Sequence, residues 1–308
     1  MYLVQGYSKS DIAKALNRSV STIYRELERN KRPHNGYYAA SVADSYAHGR
    51  LKRERRGSQF SADVWNIVYS LLKKKWSPEQ IRNHLTVEHS IEISIQTIYR
   101  HIKKDRRKGG VLYKSLRIMS KVRRKSYGSK DSRGRLEGKK DITLRPKEAT
   151  ERIEVGHWEG DTVMGGDRKE CVLTLVDRKS GYAFVEKLRS RTAEETNYAL
   201  NRIISKHREK FKTITFDNGT EFHSYKKIEE RFGVQCYFAK PHHPWERGCN
   251  ENFNGLLRQY LPKGKSMKEI GTAKLKVILQ ELNERPRKRH SFKSPQEIYL
   301  HDENFSHL

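Results

Sequence analysis

Three short runs of residues indicate the fold class of the C-terminal half: VGHWEGDTVM at 155–164, CVLTLVD at 171–177 and GYAFVEKL at 181–188. Each run is apolar or alternates apolar with polar residues, which is typical of β-strands. Gly165-Gly166 and Ser180-Gly181 lie at the breaks between the runs, and such pairs favour tight turns. The stretch therefore predicts three strands joined in a meander.

The chain beyond residue 190 alternates predicted helices with predicted strands. Thr192-Ala193-Glu194-Glu195 has the residue types of a capping box, so a helix is expected to begin there and run to about residue 208. Further strands are expected at 212–216 and 234–238, and further helices at 220–232, 250–260 and 267–283. The order βββαβαβα predicts a mixed five-stranded sheet with helices on both faces.

Three acidic residues stand where this order of elements can bring them together. Asp161 lies in the first strand, Asp217 closes the fourth strand, and Glu251 lies in the first turn of a helix. Parallel neighbouring strands would place the two aspartates side by side, and a helix packed over them could lower Glu251 between them. Such carboxylates supply the hard oxygen ligands of two-metal phosphodiester hydrolysis. Taken singly, each acid also fits turn chemistry or helix-dipole compensation.

The N-terminal residues 8–29 predict two short helices around a tight turn. Two apolar stripes, Ile12/Ala13/Leu16 and Val20/Ile23/Leu27, flank Asn17-Arg18-Ser19. This arrangement is typical of a helix-turn-helix, whose second helix enters the DNA major groove. The outward positions of that helix carry residue types that suit base edges and phosphates, namely Ser21, Thr22 and Arg25.

A second, related unit follows. Ser77-Pro78-Glu79-Gln80 is a strong helix start, and residues 94–102 repeat the Thr-Ile-Tyr-Arg core of the first unit. By analogy, its candidate DNA contacts are Gln96, Thr97 and Arg100. The alternative for both units is an ordinary three-helix bundle in which the Ile and Tyr side chains are core.

The net charge of +27 and the pI near 9.9 indicate a polyanionic partner. Residues 101–150 contribute 18 Lys and Arg against five Asp and Glu, about half of the excess. This composition predicts a basic linker that tracks phosphates, partly disordered without DNA. The alternative is a solvated loop without DNA contact.

The remaining composition favours a location inside the cell. Three widely spaced cysteines lack a CxxC pair, which argues against a zinc site or a disulfide framework. Neither a signal peptide nor a membrane span is predicted. We therefore expect a cytoplasmic protein that stays in the compartment where DNA is and has no membrane partner.

Longer motifs surround the three acids: WEGD at 158–161, TFDNGTEF at 215–222 and WERGCNEN at 245–252. With the 33 residues between Asp217 and Glu251, the RELERN run at 25–30 and the NGLLRQYLPKG run at 254–264, the chain resembles IS30-family insertion-sequence transposases. The resemblance spans nearly the whole chain. Members often carry a helical segment upstream of the position of residue 1, and smaller polar residues at the positions of Cys249 and Phe253.

The resemblance implies a ribonuclease-H-like catalytic core of the retroviral-integrase type. Asp161, Asp217 and Glu251 would bind two Mg²⁺ ions, with Mn²⁺ able to substitute, for cleavage and strand transfer of DNA. The partners would be double-stranded DNA, as terminal inverted repeats and target, and further copies of the chain in a homodimer or higher oligomer. Arg258, two turns beyond Glu251, would touch a DNA phosphate near the reacting end; the alternative is a surface arginine.

The expected domains are a helix-turn-helix domain at 1–50, a second at 58–104, a basic linker at 105–150 and a catalytic domain with a helical extension at 151–308. Two other classes compete with a transposase: a DNA-binding regulator whose nuclease-like domain only supports assembly, and another ribonuclease-H-like nuclease.

Several other residues near the three acids have weaker claims to the chemistry. Glu159 is expected to be a neighbour of the site rather than a ligand, and Glu221 to have a supporting role. His242 and His243 could position DNA. Trp158 and Trp245 are expected to pack, and Asp177 to organise a turn.

Overall fold

The structure is a computed structural model that describes residues 2–55, 60–117, 138–166, 170–240 and 243–301. It divides into two compact units, Met1–Asn66 and Ile67–Leu308. In the described ranges, no helix is both long and apolar enough to cross a membrane. The middle of the predicted basic linker, residues 118–137, lies outside the described residues.

The first unit contains the predicted helix-turn-helix. Helix α1 spans Lys9–Ala15, α2 spans Val20–Asn30 and α3 spans Ala40–Arg55. The first two begin at serine caps, because Ser8 and Ser19 each accept a backbone N–H from the first turn. Ile12, Ala13 and Ile23 form the small core between α1 and α2. Helix α4, Ala62–Lys73, follows at the boundary of the two units along the chain.

The second unit begins with another helix pair. Helix α5 spans Pro78–His89 and starts with the predicted capping box between Ser77 and Gln80; α6 spans Ile95–Arg107. Ile81, Leu85 and Ile98 are fully buried. This helix pair contacts the C-terminal part of the unit, where Gln80 donates to the carbonyl oxygen of Pro286 at 2.5 Å.

The sheet of the second unit has six strands within the described residues, in the order β1-β6-β5-β2-β3-β4. Their bounds are β1 Lys140–Asp141, β2 His157–Met164, β3 Cys171–Asp177, β4 Ala183–Leu188, β5 Thr213–Phe216 and β6 Gln235–Phe238. Strands β2, β3 and β4 form the predicted antiparallel meander, while β5 pairs parallel with both β2 and β6.

The prediction of five strands misses β1. This strand has only two residues, pairs parallel with β6 through Lys140 and Tyr237, and shows no hydrophobic alternation in its sequence. It lies inside the segment 105–150 that composition assigns to the linker, as does the short helix α7, Lys147–Glu151. Residues 138–150 are therefore part of the sheet domain.

Helices cover both faces of the sheet, as the βββαβαβα order predicts. On one face α8 (Ala193–Lys206) and α9 (Tyr225–Phe232) pack on Trp158, Leu173 and Phe216. On the other face α10 (Gly248–Leu257) and α11 (Thr272–Glu284) pack on Val172 and Val176. A last helix, α12, spans Pro295–Leu300. Alternate residues of β3 face the two cores, so this central strand is buried on both sides.

Candidate active site

Asp161 and Asp217 lie at the same level on neighbouring strands. Strands β2 and β5 pair parallel, with Glu159 opposite Thr215. Continuing this register by two residues brings Asp161 opposite Asp217, just beyond the end of β5. The structure therefore places the first two predicted acids side by side, as parallel pairing requires.

The guanidinium of Arg247 lies between the two carboxylates. Its Nη1 is 3.7 Å from Oδ1 of Asp161, and its Nη2 is 3.4 Å from Oδ2 of Asp217. Nη1 also donates to the carbonyl oxygen of Gly160 at 3.1 Å. Burial raises the pKa of the Asp161 carboxyl; Arg247 opposes this shift and Asp217 adds to it. The two aspartates are thus close enough to share one cation.

Helix α10 is anchored above them by Asn254 rather than by Glu251. The Asn254 amide donates to Oδ2 of Asp161 at 2.8 Å, and its carbonyl oxygen accepts from the Thr174 hydroxyl at 3.2 Å. Glu251, one turn earlier, is exposed. Among the residues that the structure describes, no group of three His, Cys, Asp or Glu side chains is placed to hold a metal ion. The expected convergence of all three acids is therefore not present in this arrangement.

Glu159 fixes the beginning of α10. It is fully buried and forms an ion pair with Arg178, which is 5% exposed. Its Oε2 accepts the backbone N–H of Asn250 at 2.9 Å, and Arg178 also donates to the carbonyl oxygen of Ala149 at 2.7 Å. Glu159 thus acts as a helix cap supplied by β2, which agrees with its expected place as a neighbour of the site.

Glu221 lies on the other side of the pair, close to Asp217. It is buried, and its Oε1 accepts from the Thr162 hydroxyl at 2.7 Å and from Arg191 at 2.7 Å. Its Oε2 has no hydrogen-bond partner within the described part of the chain. A Cβ on Gly219 would lie 2.4 Å from Glu221 Oε2 and 2.9 Å from Asp217 Oδ1, so only glycine allows this close approach.

The remaining residues near the site have structural roles. Asp177 is buried and accepts from the backbone N–H groups of Ser180 and Gly156, at 2.7 and 2.9 Å, which organises the turn after β3. Trp158 is fully buried and stacks on Phe211 with ring centroids 4.7 Å apart. His242 and the side chain of Trp245 lie outside the described residues.

Arg258 has two backbone partners. It stands at the C-cap of α10, and its guanidinium donates to the carbonyl oxygen of Met164 at 2.9 Å and to that of Leu261 at 3.3 Å. These bonds tie the end of the helix to the end of β2. A contact with DNA phosphate at this residue stays a prediction.

Two domain families match the chain. Residues 151–244 match the integrase core domain, a stretch that contains Asp161 and Asp217 and ends before Glu251. Residues 1–30 match a helix-turn-helix domain.

Curated relatives cover most of the chain. The transposase for insertion sequence element IS4351 of Bacteroides fragilis is 38% identical over 292 residues, 95% of this chain and 90% of the relative. Transposase InsI for insertion sequence element IS30A of Escherichia coli K12 is 34% identical over 299 residues, 93% of this chain and 77% of the relative. The chain belongs to the IS30 family of insertion-sequence transposases. As such it binds DNA and catalyses transposition, which excludes the regulator and the other nuclease.

Among solved structures, the catalytic core domain of BIV integrase is similar to this IS30-family transposase. It is 20% identical, with a TM-score of 0.38, over 47% of this chain and 94% of that chain.

Helices α2 and α6 of the transposase, which carry the predicted DNA contacts, present similar surfaces. On α2 the side chains of Ser21, Thr22 and Arg25 are exposed, and on α6 so are those of Gln96 and Arg100. Thr97 is half-buried. Both helices begin with the same cap, which accounts for part of the sequence repeat. Ser19 accepts the N–H of Thr22, and Ser94 accepts the N–H of Thr97. The two threonine hydroxyls bond the same serines, at 2.7 and 2.8 Å.

Two residues of the transposase site, Arg247 and Asn254, are missing from the sequence-based set. Asn254 lies three residues after Glu251, which is about one turn of α10, and that spacing is the signal that could have found it. Arg247 precedes the helix as its N-cap, so helical spacing does not predict its position. Their roles depend on contacts with β2 that local sequence does not specify.

Proposed function

We propose that Asp161, Asp217 and Glu251 form the metal-binding site with which this transposase cuts the ends of its element and joins them to target DNA. The observation that carries the proposal is the placement of Asp161 and Asp217 at one level on parallel strands, sharing the cation Arg247. Two half-buried carboxylates that already attract one cation fit a divalent metal with oxygen ligands.

Two Mg²⁺ ions, or Mn²⁺ in their place, would supply activation of the attacking oxygen and stabilisation of the departing 3′-oxygen. Asp161 and Asp217 would hold them from the sheet, and Glu251 from the exposed side of α10. Because Glu251 is exposed in this arrangement, its side chain would have to turn towards the aspartates to complete the site. Asn254 orients the Asp161 carboxylate, and Arg247 must move aside or turn towards substrate phosphate.

We further propose that α2 and α6 read the terminal inverted repeats. Arg25 and Arg100 are exposed at corresponding positions of the two helices and suit phosphate or guanine contacts, while Ser21 and Gln96 suit base edges. Thr22 and Thr97 contribute to the helix starts as well. Because two ends of an element must be held together for joining, we expect a dimer or higher oligomer on DNA.

The test is the substitution Asp217→Asn, with Asp63→Asn as the matched control on the exposed start of α4. Both proteins are assayed with Mg²⁺ for cleavage and joining of a duplex that carries the element's own inverted repeats. We expect Asp217→Asn to lose at least about 1000-fold in rate while it still binds the duplex. Asp217 would hold a metal ion that stabilises charge in the transition state, so its loss should slow the reaction without weakening DNA binding. Strand joining at the rate of the control would refute the assignment.

A further inference from the structure

A cavity of about 260 Å³ opens beside α10, on a different face of the helix from Asn254 and Asp161. Its apolar part is formed by Val176, Phe253 and Leu256, and two glycines, Gly181 and Gly248, leave backbone accessible in its wall. The rest of the described lining is basic and polar: Arg152, Arg287, Lys288, Arg289, Cys249 and Asn252. The lining that the structure describes contains no acidic side chain.

The positive charge of this basic cavity is poorly compensated. Lys288 forms an exposed ion pair with Glu79 at 2.6 Å. Arg152, Arg287 and Arg289 form no ion pair with any carboxylate in the part of the chain described here. Arg287 donates to the carbonyl oxygen of Leu282 at 2.8 Å, and Arg289 donates to that of Lys179 at 3.2 Å. Carbonyl oxygens leave the net charge of these guanidinium groups in place.

Neighbouring arginines add to the uncompensated positive charge of the cavity. Burial, together with the charges of Arg285 and Arg289, lowers the pKa of Arg287 to about 9. Burial also lowers the pKa of Arg285, next to the cavity, to about 10. Holding several partly desolvated cations together costs free energy, which a bound anion would reduce. The charge of the cluster therefore suits a negatively charged ligand.

The backbone around the cavity favours the same kind of ligand. The first turn of α10 contributes Gly248 and Cys249 to the lining, while the next N–H group, that of Asn250, donates to Glu159. A Cβ on Gly248 would meet nothing within 4 Å, so this backbone is open to a ligand. Gly181 has φ +74°, and a Cβ there would lie 2.6 Å from Arg289, so glycine lets that side chain lie across the turn.

We propose that the basic cavity binds a backbone phosphodiester of DNA and so holds the substrate strand against the helix that carries Glu251. Guanidinium groups present paired N–H donors that match phosphate oxygens, and the apolar part of the wall suits the deoxyribose. The inference rests on the proposed function, because it assigns the cavity to the DNA that is cut. Because the proposed contact is to the phosphodiester and not to base edges, its contribution should be independent of DNA sequence.

The test compares two double variants of equal charge change in the full chain. Arg152→Gln with Arg289→Gln alters the exposed rim of the cavity, and Arg202→Gln with Arg231→Gln alters exposed arginines of α8 and α9 on the opposite face of the sheet. Fluorescence anisotropy gives the Kd for duplex DNA at several salt concentrations. We expect the cavity variant to bind about 5- to 10-fold more weakly near 0.1 M salt, with the slope of log Kd against log salt reduced by about 1, since each phosphate contact contributes about 0.9.

We expect the control variant to stay within about twofold of the unmodified chain and to keep its slope. Equal slopes for the two double variants, with unchanged unfolding midpoints, would overturn the inference. So would a result in which inorganic phosphate raises the thermal midpoint of the unmodified chain through the cavity while the DNA slope is unaffected, because the cavity would then take free anions. Mg²⁺-dependent cleavage by the unmodified chain is measured separately and tests the proposed function, while the slopes are read in metal-free buffer and test only the cavity.

Discussion

Four carboxylates lie on and just beyond β2 and β5, and they divide into a buried pair and an open pair. Glu159 and Glu221 are 0% and 1% exposed, and each has an arginine of its own, Arg178 and Arg191. The side chains of Asp161 and Asp217 are 23% and 19% exposed, and they share the single guanidinium of Arg247.

The difference in burial distinguishes carboxylates with a structural role from carboxylates that can take part in the reaction. Glu159, with its own ion pair and a backbone N–H donor, has little capacity left for another ligand. Glu221 is held by Arg191 and by the Thr162 hydroxyl through Oε1, and its Oε2 is enclosed away from solvent. The carboxylates of Asp161 and Asp217 are partly exposed, and the guanidinium that they share lies 3.7 and 3.4 Å from their oxygens, so a ligand from solvent can reach them. We interpret the buried pair as the frame of the site and the open pair as its reactive part.

The largest effect is expected from breaking the buried pair at Glu159. Glu159→Ala leaves Arg178 charged and buried without its partner and leaves the N–H of Asn250 without an acceptor. We expect the free energy of unfolding to fall by about 3–5 kcal/mol, the usual effect of removing one member of a buried ion pair. Urea denaturation followed by circular dichroism measures it.

The matched control for that substitution is Glu186→Ala. Glu186 forms an ion pair with Arg202 at 3.0 Å, but the two side chains are 23% and 49% exposed. We expect a loss of about 1 kcal/mol or less, because solvent screens such pairs. If the two variants lost the same stability, burial would add nothing to the Glu159–Arg178 ion pair, and the structural role assigned to the buried pair would be wrong.

A smaller effect on stability, at Asp177, tests what the arginine partners contribute to the buried carboxylates. Asp177 is as buried as Glu159, but it accepts hydrogen bonds from a hydroxyl and from backbone N–H groups rather than from an arginine. Burial raises the pKa of Asp177 to about 6, and the charge of Arg289 opposes this shift only in part. Since this folded-state pKa lies above the ordinary 3.8, folding favours the protonated acid. Its stabilising contribution is complete below about pH 4 and is lost as the pH rises through 6.

Asp177→Asn should remove that titration. Between pH 4 and 7 the unmodified chain should lose up to about 3 kcal/mol relative to the variant, since one pKa unit corresponds to about 1.4 kcal/mol. Chemical denaturation of both proteins across this range gives the difference. Parallel stability profiles for the two proteins would show that hydrogen bonds alone keep the carboxylate ionised.

The smallest effect concerns the open pair. Arg247→Gln removes the cation that Asp161 and Asp217 share, so a divalent metal no longer has to displace it. We expect Mn²⁺ to bind about 3- to 10-fold more tightly by calorimetry, in line with about 1 kcal/mol for a partly screened ion pair. Weaker Mn²⁺ binding in this variant would instead mean that Arg247 holds the aspartates in their binding geometry.

Much of the fold follows from local patterns. The alternation in 171–177, the capping box at 192–195 and the serine caps of α2 and α6 depend on neighbours within a few residues, so they can be predicted from the chain alone. Strand β1 could not be, because two residues carry no periodicity and pair only when β6 is already in place. The last helix, Pro295–Leu300, has a Ser-Pro start that would have predicted it.

The candidate site divides in the same way. The sequence determined that Asp161 stands within a strand, Asp217 just after a strand and Glu251 in a helix start, because those positions depend on hydrophobic period and turn residues. Only the tertiary structure decided that Glu159, two residues before Asp161 on the same face of β2, is buried against Arg178 and caps α10. The physical reason is that burial and ion pairing depend on which distant element covers a side chain. Residues 159, 178 and 250 meet only after the sheet and α10 have assembled.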